Sequence, residues 1–213
     1  SNHVWTRDNL FRGLEGSLSR LGRDNVDILQ LHNPTIDECE SGGLVDALLE
    51  MKKSGKVQFI GVSTTLPHLP TYLEWGVFDV MQIPYSALER THEHWIMRAG
   101  QAGVGIIIRG GIAKGEPNRD SGTLGNQEAK LSSSRDDRWK TFEQAKLDDL
   151  KDPEESRSAF VLRYTLTHPY VHTVIVGTTR PEHLRENISA ALSGPLEESI
   201  YAEVKSRLDS VGE

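Results

Sequence analysis

Hydrogen-bonding side chains follow five apolar runs of the sequence. The runs with their polar endings are "VDILQLHN", "VQFIGVSTT", "DVMQIPY", "GIIIRGG" and "TVIVGTTR". One histidine or threonine at such an end is common in a structural turn. Polar groups at all five ends together predict a binding site, because ligands of parallel α/β proteins bind at the carboxyl ends of the strands.

The fifth ending, "VGTTRPEHL", has the chemistry of an anion site. A strand leads through Gly177, Thr178 and Thr179 into a helix that begins near Pro181, whose missing N–H costs nothing in a first turn. Backbone N–H groups at a helix N-terminus attract phosphate, and His183 follows one turn later. A threonine N-cap without any ligand explains the same residues, and the sequence alone leaves both interpretations open.

Motifs for other kinds of site are absent from the sequence. No Cys and His residues have metal-ligand spacing, and neither a Walker loop nor a G-x-G-x-x-G fingerprint occurs. The segment "HEHW", His92–Trp95, is expected on a solvated helix face, and Cys39 is expected to be an inert thiol in a loop. A chain with one cysteine has no internal disulfide, which is typical of a reduced intracellular protein.

The composition disfavours several classes of partner. A net charge of -7 without a basic cluster argues against nucleic acid and anionic membrane surfaces. No apolar run approaches the roughly 18 residues of a membrane span, and the first residues, "SNHVWTRD", lack the apolar core of a signal peptide. We therefore expect a cytoplasmic protein that binds neither nucleic acid nor membrane.

Strands that alternate with helices position the five polar endings. The strands begin near positions 26, 57, 79, 105 and 171, and amphipathic patterns such as "TRDNLFRGLEGSLSRLG" precede or follow them. This alternation predicts a parallel sheet, and steps of roughly 20 to 30 residues are typical of a (β/α) barrel or a doubly wound sheet. The longer gap before the last strand predicts a loop that is either functional or disordered. The final segment, "PLEESIYAEVKSRLDSV", predicts an extra C-terminal helix.

Four segments resemble the later part of the aldo-keto reductase family. They are "SLSRLGRDNVDILQLHNP", "GKVQFIGVST", "FDVMQIPYSAL" and "VLRYTLTHPYVHTVIVGTTRPEHLRENI", in the family's order and spacing. The resemblance implies a (β/α)8 TIM barrel that binds NADPH, or less often NADH, and passes hydride to a small aldehyde or ketone. It covers barrel strands four to eight, so 1–213 is expected to be a single domain, a partial barrel that lacks the first three βα units.

The resemblance also implies the site residues. His32 matches the catalytic histidine that orients and polarises the substrate carbonyl. Cofactor-binding positions of the family match Ser63, Thr64, Gln82, Arg109, Gly110, Gly111, Gly177, Thr178, Thr179, His183, Glu186 and Asn187. The first three of these match the group that holds the nicotinamide carboxamide, and the last six match the adenosine end. No metal ligand is implied.

Several positions depart from the family pattern. Thr64 replaces the usual asparagine, and Arg109 replaces the aromatic residue that commonly stacks on the nicotinamide ring. His183 stands in place of a common arginine. Tyr85 and Tyr164 lie in segments that match non-catalytic parts of the family, so neither is assigned a catalytic role.

The family's aspartate, proton-donating tyrosine and lysine have no match in this sequence. Carbonyl reduction needs a proton donor near the developing oxyanion, so the chain is expected to be inactive alone. A non-catalytic nucleotide-binding or self-assembling module is the alternative, and a piece without any activity is a third hypothesis. Five strands of an incomplete barrel leave two open sheet edges, which predicts self-association.

Overall fold

Five strands alternate with helices in the computed structural model, which describes residues 4–116 and 137–212. The strands are β1 (Val26–His32), β2 (Val57–Ser63), β3 (Val80–Pro84), β4 (Gly105–Arg109) and β5 (Thr173–Ile175). The helices are α1 (Arg7–Leu21), α2 (Ile36–Ser41), α3 (Leu44–Lys53), α4 (Leu69–Trp75), α5 (Glu93–Gln101), α6 (137–144), α7 (Arg157–Thr167), α8 (Pro181–Leu192) and α9 (Glu198–Ser210). The predicted α/β class is confirmed, and α9 is the predicted C-terminal helix.

The strands form one sheet in chain order, β1-β2-β3-β4-β5. The pairs β1–β2, β2–β3 and β4–β5 are parallel, with His32 opposite Ser63, Ser63 opposite Gln82, and Arg109 opposite Ile175. Parallel pairing in this register places the polar endings of β1, β2 and β3 at the same end of these three strands, and those of β4 and β5 at the same end of that pair. The strand pattern of the sequence therefore locates the strand ends where a ligand would bind.

The chain divides into two compact units, and the first comprises Ser1–Ile83 and Met97–Ile106. Helix α3 packs against β2, and α1 and α2 pack against α3. Side chains such as Leu48, Ile60 and Val62 are completely buried. Lys52 of α3 donates to both carboxylate oxygens of Asp79 at 2.7 and 2.6 Å, and Asp79 also accepts from the Ile60 N–H at 2.9 Å. This ion pair joins α3 to the strands.

The second unit comprises Pro84–Ile96 and Ile107–Glu213. Its core contains buried aromatic and aliphatic side chains, among them Phe142, Phe160 and Leu208. Lys205 of α9 donates to Glu93 of α5 at 2.6 Å. Burial opposes ionisation of Glu93, but the hydrogen bonds and charges of Lys205 and Arg90 together outweigh it and hold the pKa of that carboxyl below its usual value. The C-terminal helix is thus bound to its unit by charge as well as by packing.

Capping residues set the bounds of α1 and α2. Thr6 accepts from the Asn9 N–H, and Gly22 ends α1 in the left-handed conformation. Helix α2 was not predicted, although Thr35 and Glu38 form a capping box. Cys39 therefore lies buried on a helix, and its expected place in a loop was wrong.

A further expectation about helices was wrong at one residue. The segment "HEHW" was expected on a solvated face, but His92 is buried beside the start of α5, while His94 is exposed. Leu21 is exposed because it occupies the last position of α1, where the chain turns away at Gly22. The predicted long loop after β4 lies mostly in 117–136, outside the described residues.

Candidate functional site

Three predicted site residues form a row across the first unit. His32 ends β1, Ser63 ends β2, and Gln82 lies on β3, each opposite the next in register. Residues opposite one another point to the same face of a sheet, so the three side chains lie on one face, at the carboxyl ends of the strands. Their order across the strands brings an imidazole, a hydroxyl and an amide together. These groups can donate and accept hydrogen bonds with a planar polar ligand.

Two buried polar atoms on this face of the sheet lack partners among the described residues. Ser63 is buried, and its Oγ makes no hydrogen bond there. Gln30 lies on the same face two residues before His32, and its Oε1 is also buried without a partner in the described residues. A buried polar group that makes no hydrogen bond costs about 1 to 3 kcal/mol, so such groups are typical of positions where a ligand or a water molecule binds.

Thr64 is held by the backbone beside this row. Its N–H donates to the Gln82 carbonyl at 3.1 Å, and its hydroxyl donates to the Thr65 carbonyl at 3.4 Å. The side chain is buried. A ligand would have to compete with the Thr65 carbonyl for the hydroxyl proton, so the role implied by the resemblance stays a prediction.

In the second unit, Arg109 ends β4. The backbone carbonyl of Arg109 accepts from the Tyr85 N–H at 3.3 Å, while its side-chain Nε is buried without an acceptor in the described residues. The Arg109 charge lies close enough to His92 to affect its titration. Burial lowers the pKa of His92, Glu89 opposes that change, and Arg109 adds to it. The end of β4 therefore carries the positive charge of the Arg109 guanidinium, which is partly shielded from solvent.

The turn after β4 contains Gly110 and Gly111, two of the residues matched to cofactor-binding positions of the family. Gly110 has a φ of 72°, in the left-handed region that favours glycine. At Gly111 a Cβ would come within 2.4 Å of Val174 Cγ1, and Thr165 donates to the Gly111 carbonyl at 2.8 Å. The structure thus assigns Gly111 a packing role, and its contact with a ligand stays a prediction.

The turn after β5 leads into α8 as predicted. Thr178 Oγ1 accepts from the Arg180 N–H at 3.1 Å, and Pro181 occupies the first turn of the helix. Arg180, not a threonine, is the N-cap residue, and no side chain caps this helix. Gly177, Thr178 and Thr179 are exposed. The first turn of α8 therefore presents its N-terminus to an anion.

Three predicted residues for the adenosine end lie on α8. His183 and Glu186 are half-buried, and Asn187 is buried. Positions three and four apart on a helix lie on one face, so His183 shares a face with Glu186 and Asn187. The pattern "HLREN" thus places an imidazole, a carboxylate and an amide next to the turn after β5.

Two tyrosines of the second unit are inaccessible to a ligand. Tyr85 and Tyr164 are both completely buried, with ring centroids 6.3 Å apart. Tyr85 donates to Glu93 at 3.3 Å. Burial raises the pKa of both hydroxyls. Both hydroxyls are thus buried in the core of the second unit, and the absence of a catalytic role for them stays a prediction.

In the described part of the chain, no group of three His, Cys, Asp or Glu side chains is arranged to hold a metal ion. In residues 4–116 and 137–212, no helix combines the length and apolar character needed to cross a bilayer.

Comparison with known proteins supports the resemblance. A model of the Aldo/keto reductase family matches residues 3–209. The chain is 29% identical to an uncharacterised oxidoreductase of Bacillus subtilis strain 168, YqkF, over 87% of its own length and 61% of the relative. It is 27% identical to the NADH-specific methylglyoxal reductase of Escherichia coli strain K12, over 82% of its own length and 56% of the relative. The chain thus spans about three fifths of these curated relatives.

A solved structure shows the same fold. The aldo-keto reductase AKR11C1 of Bacillus halodurans, in its holo form, superposes with a TM-score of 0.76 at 24% identity. The match covers 96% of this chain and 68% of that one. At this identity the likeness concerns the fold alone. It confirms that the alternating strands and helices follow the TIM-barrel pattern of this group of proteins.

Proposed function

This chain belongs to the aldo/keto reductase family, and we propose on that premise that it binds a nicotinamide dinucleotide at the carboxyl ends of its strands. Members of the family are NAD(P)H-dependent oxidoreductases. The single observation that supports the proposal most is the row of His32, Ser63 and Gln82, in which the buried Ser63 hydroxyl makes no hydrogen bond within the described residues. Such a row fits a carboxamide, which has both a carbonyl acceptor and an NH2 donor.

The first unit would hold the nicotinamide end. Ser63 and Gln82 would hydrogen-bond the carboxamide, with Thr64 beside them. When bound, the nicotinamide supplies a hydride for a carbonyl carbon. His32, which ends β1 and is exposed, would donate a hydrogen bond to the carbonyl oxygen of a small aldehyde or ketone and so orient and polarise it.

The second unit would hold phosphate and adenosine groups. Arg109, Gly110 and Gly111 would contact the dinucleotide near the turn after β4. Gly177, Thr178 and Thr179 would receive the adenosine phosphate at the N-terminus of α8. His183 would contact the 2′-phosphate of NADPH, with Glu186 and Asn187 at the adenine. We infer NADPH as the preferred cofactor from His183, although one relative is an NADH-specific reductase.

Carbonyl reduction also requires a proton donor, and we propose that these 213 residues bind the cofactor without turnover. The segments of the sequence that match the family do not contain its catalytic tyrosine, and the two tyrosines weighed above are buried. Aldehyde or ketone reduction is thus proposed for the whole protein. A non-catalytic nucleotide-binding module is the second candidate, because the cofactor residues are present and the proton donor is not.

Fluorescence titration tests the proposed binding. NADPH is titrated into the chain and its emission followed, and then 4-nitrobenzaldehyde is added to measure oxidation. We expect saturable binding without turnover. The variant His183→Ala should bind NADPH about tenfold more weakly, and its affinity for NADH should fall much less, because only NADPH has the 2′-phosphate. His94→Ala, at an exposed position of α5, is the matched control and should change neither.

Each outcome of the titration decides one part of the proposal. Absence of NADPH and NADH binding would contradict the function. Turnover by this chain alone would show that another group donates the proton. If His183→Ala loses affinity for NADPH and NADH equally, the assignment of His183 to the 2′-phosphate is wrong, and the rest of the proposal is unaffected.

A further inference from the structure

Gln30 is a polar residue inside an apolar strand. It lies in "VDILQLH", two positions before His32, and therefore on the same face of β1. No role was assigned to it from the sequence. Its side chain is only partly exposed, and its Oε1 is buried without a partner in the described residues. A costly buried amide at this position calls for a physical reason.

A glycine on the neighbouring strand lets Gln30 reach across the sheet. Gln30 lies opposite Gly61 of β2, and Gly61 lies opposite Val80 of β3. A Cβ at position 61 would come within 2.9 Å of Gln30 Cγ and within 2.8 Å of the Val80 carbonyl oxygen. The space that a side chain at 61 would need is thus occupied by Gln30, which crosses β2 there.

The Gln30 amide reaches Gln82 two strands away. Its Nε2 donates to Gln82 Oε1 at 3.3 Å. Neighbouring strands are about 4.8 Å apart, so β1 and β3 are separated by roughly twice that distance. Only a long side chain that passes over a glycine makes this contact. It determines which end of the Gln82 amide faces Gln30.

The orientation of the Gln82 amide matters for what it can bind. An amide has an acceptor oxygen on one side and a donor NH2 on the other. With Oε1 directed to Gln30, the NH2 group of Gln82 is the end left for a ligand. Ser63 lies opposite Gln82 with its own hydroxyl unpaired in the described residues. The first unit therefore offers donors where a ligand carbonyl would need them.

We propose that Gln30 is a positioning residue that fixes the amide of Gln82, so that Gln82 donates to the carbonyl oxygen of the nicotinamide carboxamide. The inference rests on the proposed cofactor site. Gln30 acts through Gln82, and Gly61 provides the passage between them. The unpaired Oε1 of Gln30 remains to accept a hydrogen bond from water or from the carboxamide NH2 group.

A change of donor to acceptor at position 30 tests this role. Gln30→Glu at pH 8 has an ionised carboxylate, which can only accept and therefore attracts the NH2 group of Gln82. Gln82 then presents its oxygen to the ligand. NADH can adapt, because its carboxamide also has an NH2 group. Reduced 3-acetylpyridine adenine dinucleotide has a carbonyl but no NH2 group and cannot.

We expect Gln30→Glu to weaken the binding of the acetylpyridine analogue about tenfold more than the binding of NADH, as measured by fluorescence titration. ADP-ribose, which lacks the nicotinamide ring, should bind the variant and the unmodified chain equally in calorimetry. Gln101→Glu, at an exposed position that ends α5, is the charge-matched control and should leave all three affinities unchanged. Equal losses of NADH and the analogue in Gln30→Glu would overturn the positioning role.

Further measurements separate this inference from the proposed function and from misfolding. Failure of the unmodified chain to bind NADH and ADP-ribose would overturn the function itself, whereas binding with an unchanged ratio in Gln30→Glu overturns the inference alone. A contact that needs no cofactor is visible in a ¹H–¹⁵N spectrum. The NH2 signals of Gln30, identified by their loss in Gln30→Leu, should shift in Gln82→Leu. Unshifted signals would contradict the hydrogen bond.

Discussion

At the scale of single residues, Arg109 has an unsatisfied donor that we expect to cost stability in the absence of a ligand. Its Nε is buried without an acceptor among the described residues, at a penalty of about 1 to 3 kcal/mol. Arg109→Met removes the donor and keeps an apolar stem. We expect the midpoint temperature of thermal unfolding to rise by roughly 2 to 6 °C, while the affinity for NADH falls about tenfold.

Arg23→Met, at an exposed position after α1, is the control and should change neither measurement. A lower unfolding temperature for Arg109→Met would show that the guanidinium stabilises the fold. An unchanged NADH affinity would remove Arg109 from the proposed cofactor site.

Single residues also show how far the sequence leads. His32, Ser63 and Gln82 were identified from strand endings and family match, and the structure aligns them in one row. Gln30 was missed, although a glutamine inside an apolar strand on the face of His32 was a visible signal. The importance of Gly61 was not visible, because it depends on a contact between strands that are not neighbours.

At the scale of elements, His168 at the end of α7 makes the stability of the fold depend on pH. It is the C-cap residue of α7, and its Nδ1 accepts from the Tyr170 N–H at 3.2 Å. Burial lowers the pKa of His168 below 6.5, against the charge of Glu93 and with that of Lys205. The folded chain therefore binds this proton less readily than the unfolded chain does.

This lowered pKa determines the sign of the effect. The stability that neutral His168 contributes is fully present above the unfolded pKa of about 6.5 and is lost as the pH falls from there through the lower pKa of the folded chain. We expect the free energy of unfolding, measured with urea, to decrease from pH 7 to pH 5. His168→Asn retains an acceptor that does not titrate, so its decrease should be smaller. Parallel pH profiles for the two proteins would contradict the assignment.

Elements were predicted well where periodic patterns were long and poorly where they were short. Helix α1 and strands β1 and β2 have the predicted bounds within a residue or two, because their apolar periods span several turns or pairs. Helix α2 has six residues, too few for a period to be visible. Its capping box, "TIDE", was the local signal that could have predicted it.

At the scale of the whole molecule, apolar surface is exposed in each unit. In the first unit, Ile28 and Phe59 are 40% and 41% exposed on the face of the proposed carboxamide row. In the second, Leu184, Ile188 and Leu192 form an exposed stripe along α8, spaced four residues apart. The opposite face of β1 and β2, with Leu31, Ile60 and Val62, is buried. Contiguous exposed apolar surface is typical of an interaction site.

Self-association is the behaviour that we expect from this surface. In the described residues β1 pairs only with β2 and β5 only with β4, so both outer strands have unpaired backbone groups as well. Light scattering should give a mass above the 23.8 kDa of one chain.

Ile188→Lys places a charge in the α8 stripe and should lower that mass, because a desolvated lysine is costly. Ser189→Lys adds the same charge at the next exposed position, outside the stripe, and should not. A monodisperse 23.8 kDa species for the unmodified chain would contradict the expectation, and equal effects of the two lysines would attribute any association to net charge instead of the stripe.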